Sequence, residues 1–230
     1  MPGRRRRAEA RLALAVAALA FAGCAWGGAQ QYEVLSASVR ATLARAVNER
    51  ALDGPPDLDA RAWIRALTPA MMRRLPDEPA ARAFLALVRY EALRAGLDPH
   101  LVLAVIDVES GFRKYAVSKA GARGLMQVMP FWVKELGEAG HNLFHERTNL
   151  RYGCTILRHY LDRERGNLAN ALGRYNGSLG QPGYPDRVRK ALRERWSLEA
   201  LVAGAERVAS SSERRVTRPM RSYTTFPAAS

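Results

Sequence analysis

Apolar residues recur along most of this 230-residue chain at spacings of three and four, the period of helices that show one face to a core. Val39, Leu43, Val47 and Leu52 predict a helix over 36–52, ended by Gly54-Pro55-Pro56. A second short helix is predicted near 59–67, and Pro76 and Pro79 bracket a break. From about residue 80 the signals become dense. Phe84, Val88, Glu91 and Ala95 share one face with Leu87 beside them, and Gly96 ends that helix. Asp98 then reads as an N-cap and Pro99 as the first helical residue of a new helix, which runs to about Ser110 and stops at Gly111. Further helices are predicted at 129–139, 149–165, 168–176 and 185–195. Strand-like alternation is confined to a short piece around 113–118, and no internal repeat is visible. The fold class is mainly α with at most a minor β element.

The two ends of the chain read differently from its middle. Arg4 to Arg7 and Arg11 precede an apolar run, Leu12 to Ala22, that is too short to span a bilayer. Small residues follow. Residues 1–23 are therefore expected to be an export signal; the other reading is a short membrane anchor. Two cleavage sites compete. Ala20-Phe21-Ala22 fits an ordinary signal peptidase, whereas Phe21-Ala22-Gly23-Cys24 resembles a lipobox and would make Cys24 the site of lipidation. Phe21 stands where leucine is usual. Export implies a periplasmic site of action, with outer-membrane anchoring on the lipobox reading. Residues 24–31 read as a flexible tether, so 24–79 is expected to hold a tether and a small helical region. Residues 80–200 are the main globular unit, and 201–230 form a basic tail expected to be disordered.

Charge and cysteine content narrow the chemistry. Removing residues 1–23 takes away five arginines and one glutamate, which lowers the formal charge from +14 to +10. A basic exported protein is attracted to anionic polymers, but an exported protein rarely meets nucleic acid, and none is expected as a partner. Only four of the 36 basic residues are lysine, so most of the charge reflects an alanine- and arginine-rich composition. Of the two cysteines, Cys154 lies on a helical stripe with Leu150, Leu157 and Leu161 and is expected to be a small buried hydrophobe. No histidine or cysteine cluster has metal-ligand spacing, and no metal or cofactor is expected.

The helix from Pro99 carries the candidate chemistry. Val102, Val105, Ile106 and Glu109 fall on one face, so a carboxyl ends an apolar stripe at a helix C-terminus. Partial burial and the helix dipole both disfavour its charged form. A carboxylic acid kept protonated near neutral pH suits a general acid for glycoside cleavage. The alternative is an ordinary solvent-facing glutamate at a helix end. Asp107, two residues earlier, points elsewhere.

Three motifs decide between these readings. Glu109-Ser110-Gly111-Phe112 is followed by Ala116-Val117-Ser118-Lys119-Ala120-Gly121-Ala122-Arg123-Gly124-Leu125-Met126-Gln127-Val128-Met129-Pro130, and then by Arg174-Tyr175-Asn176-Gly177. In this order and spacing they resemble the signature motifs of the soluble lytic transglycosylase (SLT) domain, with Asn149-Leu150 and the helix to Leu161 resembling the family's linking helix. The resemblance covers roughly residues 82–195. It implies a lysozyme-like helical catalytic domain acting on peptidoglycan glycan strands, with Glu109 as the catalytic acid and base. It also implies substrate contacts from Ser110, Ser118, Gln127, Met129, Tyr175 and Asn176. The hydroxyl of Tyr175 would reach toward the glutamate. Many members follow the tyrosine–asparagine pair with Ala-Gly; Gly177-Ser178-Leu179-Gly180, with Tyr184-Pro185 soon after, departs from that and suggests a reshaped rim.

No second carboxylate lies inside a signature motif, whereas hydrolytic glycosidases usually use two. Asp162, Glu164 and Asp186 sit on patterns that look solvated. The expectation is a lytic transglycosylase, in which the substrate's own acetamido and 6-hydroxyl groups replace the second carboxylate and water. A hydrolytic muramidase on the same fold and a non-catalytic peptidoglycan-binding module are the alternatives. Protein partners, and any membrane contact beyond a lipid at Cys24, are not indicated.

Overall fold

The computed structural model describes residues 29–49, 58–138 and 140–203. The expected export signal, Cys24 with both cleavage readings, the Gly54-Pro55-Pro56 break and the tail beyond 203 lie outside the described residues. The elements are α1 (Ala37–Asn48), α2 (Leu58–Met71), α3 (Glu78–Arg94), α4 (Pro99–Glu109), α5 (Phe131–Leu136), α6 (Glu146–Arg163), α7 (Leu168–Asn176) and α8 (Gly183–Ala191). A π-helical turn, Leu192–Trp196, follows α8 directly. The architecture is mainly α, as expected. The strand-like piece around 113–118 reduces to two isolated bridges, Val117 with Arg123 and Arg123 with Val128.

Local chemistry sets the helix ends. Asp77 accepts from the Ala80 amide at 2.8 Å, with Pro79 in the first turn of α3. Asp98 does the same for His100 at 2.8 Å ahead of Pro99. Each cap satisfies an amide that the helix itself cannot. Helix α2 outruns the expected end at 67 and continues through Pro69 to Met71. Leu67 and Met71 are fully buried there, and burial of those two side chains outweighs the loss of one backbone hydrogen bond at the proline.

Helix α4 lies at the centre. Every residue from Leu101 to Ile106 is buried, because α3, α8 and the π-helical turn cover it on different sides. Helix α6 packs against α1, α3 and α7. The N-terminal helices are not a separate unit: Leu43 and Val47 of α1 and Ile64 and Leu67 of α2 join the same core. Residues 29–31, read from composition as tether, also pack against the body; Gln30 is buried.

One polar cluster is sealed inside this core. Glu91 sits on the apolar face of α3 and is fully buried. Its Oε1 accepts from Arg151 Nη2 at 2.9 Å, and its Oε2 accepts from Arg151 Nε at 3.2 Å and Arg94 Nε at 3.1 Å. Removing one partner of such a pair strands the other charge in low dielectric. Glu91→Ala is expected to lower unfolding free energy by about 3–5 kcal/mol in denaturant titration. Glu78→Ala, which breaks only an exposed pair with Arg82, is expected to cost under about 1 kcal/mol.

Candidate active site

Glu109 is the last residue of α4. The buried stripe beneath it fixes where its side chain emerges, and the residue is half-buried. Two elements from the far end of the chain reach it. Tyr184, at the start of α8, donates its hydroxyl to Glu109 Oε1 at 2.7 Å. Asn176, the last residue of α7, also bonds the carboxyl through its side chain. Burial pushes the Glu109 carboxyl up to about 7, from an ordinary 4.5. The Tyr184 hydroxyl, the Arg187 charge and the Asn176 amide each pull the other way, and burial wins. Near neutral pH this one carboxyl is populated in both protonation states, so it can give a proton and take one back.

The acids nearby in sequence are occupied elsewhere. Asp107 accepts from Arg74 at 2.9 Å, Arg195 at 2.6 Å and Trp196 Nε1 at 3.1 Å, which ties α4 to the π-helical turn. Asp162, Glu164 and Asp186 pair with Arg158, Arg174 and Arg189. No second carboxylate is among the described groups that act on Glu109. Cys154 is fully buried and burial pushes its thiol well up, which fits packing and not nucleophilic chemistry.

The segment after Glu109 folds back as a tight loop. Gly124 donates to the Ala116 carbonyl at 2.8 Å, and Arg123 and Val128 exchange a pair of backbone hydrogen bonds. Gly124 has φ +76°, and a Cβ there would lie 2.4 Å from Asn149 Nδ2 and 2.5 Å from the Leu143 carbonyl. No other residue fits. Asn149 then holds the loop from α6: its Oδ1 accepts from the Met126 amide at 2.8 Å and its Nδ2 donates to Arg123 and Leu143 carbonyls. Phe112 and Gln127 both take positive φ without being glycine, at +67° and +50°. Phe112 is held there by rings on either side, Phe84 and Trp196.

The expected contact residues divide into two groups. Asn176 stands at the glutamate. Ser118 is half-buried and accepts from the Ala122 amide, closing the loop, and Met129 is partly buried against the core. Three others are engaged inside the protein. Ser110 is buried and its hydroxyl donates to the Ile106 carbonyl at 3.2 Å, so it caps the helix end and does not face a ligand. Gln127 donates through Nε2 to the Ala116 and Gly124 carbonyls, which steadies the strained loop. Tyr175 is fully buried and donates to the Met126 carbonyl at 2.7 Å. It therefore pins the loop and does not reach Glu109. Tyr184 holds that place. Its signal in the sequence was the buried stripe Tyr184, Val188 and Ala191 on α8, at spacings of four and three.

Against this geometry, residues 86–195 match the family model described as the transglycosylase SLT domain. This stretch is similar to the SLT domain along its whole length. A 53-residue segment is 55% identical to membrane-bound lytic murein transglycosylase C of Actinobacillus pleuropneumoniae, covering 23% of this chain and 14% of that protein. The chain is 38% identical over 101 residues to a transglycosylase of Enterobacteria phage PRD1, covering 41% of this chain and 37% of that one. It is 34% identical over 116 residues to membrane-bound lytic murein transglycosylase C of Yersinia pestis, with 44% and 32% covered. The match thus spans between 14% and 37% of those relatives' lengths. Among solved structures the chain is similar to an inactive mutant of lytic transglycosylase Slt from Pseudomonas aeruginosa, at 18% identity and a TM-score of 0.40, covering 91% of this chain and 42% of that one. Within the matched stretch, Glu109, the 111–130 loop and the Tyr175–Asn176 pair gather at one end of α4.

The raised carboxyl has a cost in stability. A folded-state value of about 7 against about 4.5 unfolded means that the native state holds its proton more tightly. The penalty is absent below about pH 4.5, grows as pH rises, and is complete above about pH 7. Glu109→Gln is expected to be more stable than wild type at pH 8 by about 2–3 kcal/mol, with the difference vanishing near pH 4. Denaturant unfolding at the two pH values checks this.

Proposed function

We propose that this protein is a peptidoglycan lytic transglycosylase that cleaves between N-acetylmuramic acid and N-acetylglucosamine without water, leaving 1,6-anhydromuramoyl ends. The observation that carries the reading is a half-buried glutamate, raised to about 7, with a tyrosine and an asparagine on its carboxyl and, among the described residues, no second carboxylate acting on it. The SLT domain and the relatives named lytic murein transglycosylase support the substrate class.

In this scheme protonated Glu109 gives its proton to the bridging oxygen, and the C–O bond breaks. The 2-acetamido oxygen of the muramic acid stabilises the developing cation, which takes the place of a second carboxylate. Glu109, now ionised, accepts the Tyr184 hydroxyl hydrogen bond. It then removes the proton from the sugar's 6-hydroxyl, whose oxygen closes on C1. The proton balance returns Glu109 to its starting state. Asn176 holds the carboxyl in line, and Ser118 and Met129 meet the sugar. The residues that act on the substrate lie within 80–200, with α1 and α2 completing the core beneath them. Export through residues 1–23 and anchoring at Cys24 would place it in the periplasm at the outer membrane; the relatives' description as membrane-bound supports that location.

Mass spectrometry of digested sacculi separates this from its rivals. Wild type is expected to release anhydro-muropeptides, and Glu109→Gln to lose about 10²–10⁴-fold in rate. Products with reducing ends alone would make the protein a hydrolytic muramidase. Binding without any cleavage by wild type would make it a binding module.

A further inference from the structure

Residues 29–33 make more contacts with the site than a tether would. Gln30 is 4% exposed; its Oε1 accepts from the Met129 amide at 3.1 Å, and its carboxamide also meets the Tyr175 hydroxyl. Tyr32 stands edge-on to Phe131 with centroids 5.5 Å apart and donates to Glu135. Glu33 pairs with Arg163 and Arg174. The seat for this segment is Gly177, where this chain departs from the usual alanine. A Cβ at 177 would lie 2.0 Å from the Ala29 carbonyl, and φ is +74°.

Two cavities lie near this segment, one of them lined by it. One, of about 180 Å³, is lined by Asn176, Tyr184 and Arg187 beside Glu109. The other, of about 300 Å³, is lined by Gln31, Glu33, Arg174 and Leu179. Both are lined by Gly177, Ser178 and Gln181, so they adjoin through that segment. We infer that residues 29–33 are a substrate strap, whose Gln31 forms with Ser178 and Gln181 a subsite for a further sugar of the glycan strand.

The lining selects that ligand. Gln31 and Gln181 are exposed carboxamides and Ser178 is a hydroxyl, so each both donates and accepts, which matches sugar hydroxyl and acetamido groups. Leu179 offers an apolar surface for a ring's C–H face. The two charged residues of this part, Glu33 and Arg174, pair with each other at 3.3 Å and leave little to hold an anionic headgroup or a charged peptide. The inference rests on the function proposed above.

Full-length Glu109→Gln, titrated calorimetrically with a peptidoglycan-backbone tetrasaccharide and octasaccharide, tests it. Adding Gln31→Ala together with Gln181→Ala is expected to weaken the octasaccharide about 3–10-fold and leave the tetrasaccharide unchanged. Gly177→Ala, with its unfolding midpoint checked, is expected to do the same by unseating the strap. Unchanged octasaccharide affinity in the double variant overturns the strap inference. If wild type still releases anhydro ends, the proposed function stands. If neither oligomer binds and sacculi stay intact, both fall.

Discussion

One constraint organises this molecule: the Glu109 carboxyl is desolvated at the end of a helix with, among the described residues, no cation in contact to compensate it. Burial of a charge is costly, and here the protein meets the cost by raising the group's proton affinity to about 7. That requires α4 to be rigid and apolar up to its last turn, which is why Leu101 to Ile106 are all buried. It also requires neighbours that orient the carboxyl without neutralising it. Tyr184 and Asn176 do this with neutral hydrogen bonds, while Arg187 is exposed and acts only through its field.

The contrast with Asp107 shows how local this control is. Two residues earlier on the same helix, Asp107 is surrounded by Arg74, Arg195 and the Trp196 indole. One carboxylate is spent on fastening the π-helical turn to the core, and the other is kept for proton transfer. The loop from 111 to 130 is fastened with equal economy. Asn149, Gln127 and Tyr175 consume its inward-facing amides and carbonyls, so the groups left at the surface sit on a preorganised frame.

Much of this was legible in the sequence. Asp98-Pro99 and Gly111 bound α4, and the apolar stripe ending in Glu109 marks the acid. What was not legible depends on distance along the chain. Tyr175 and Tyr184 both lie on amphipathic stripes, and only the packing of α8 against α4, with α7 held against α6 and α8, decides which hydroxyl meets the carboxyl. Ser110 lay beside the glutamate in sequence, but a residue one position on from a helical side chain points about 100° away. Composition made residues 29–31 look unstructured, because their binding energy comes from Met129, Gly177 and Tyr175, about 100 to 150 residues later.

The central claim is that Glu109 is one carboxyl poised between its two protonation states near neutral pH. Infrared difference titration, subtracting Glu109→Gln from wild type, isolates that group's carboxyl band. The account predicts a midpoint near 7, moving upward in Tyr184→Phe, because the tyrosine hydrogen bond favours the ionised form. A midpoint near 4.5 that is indifferent to Tyr184 would contradict it.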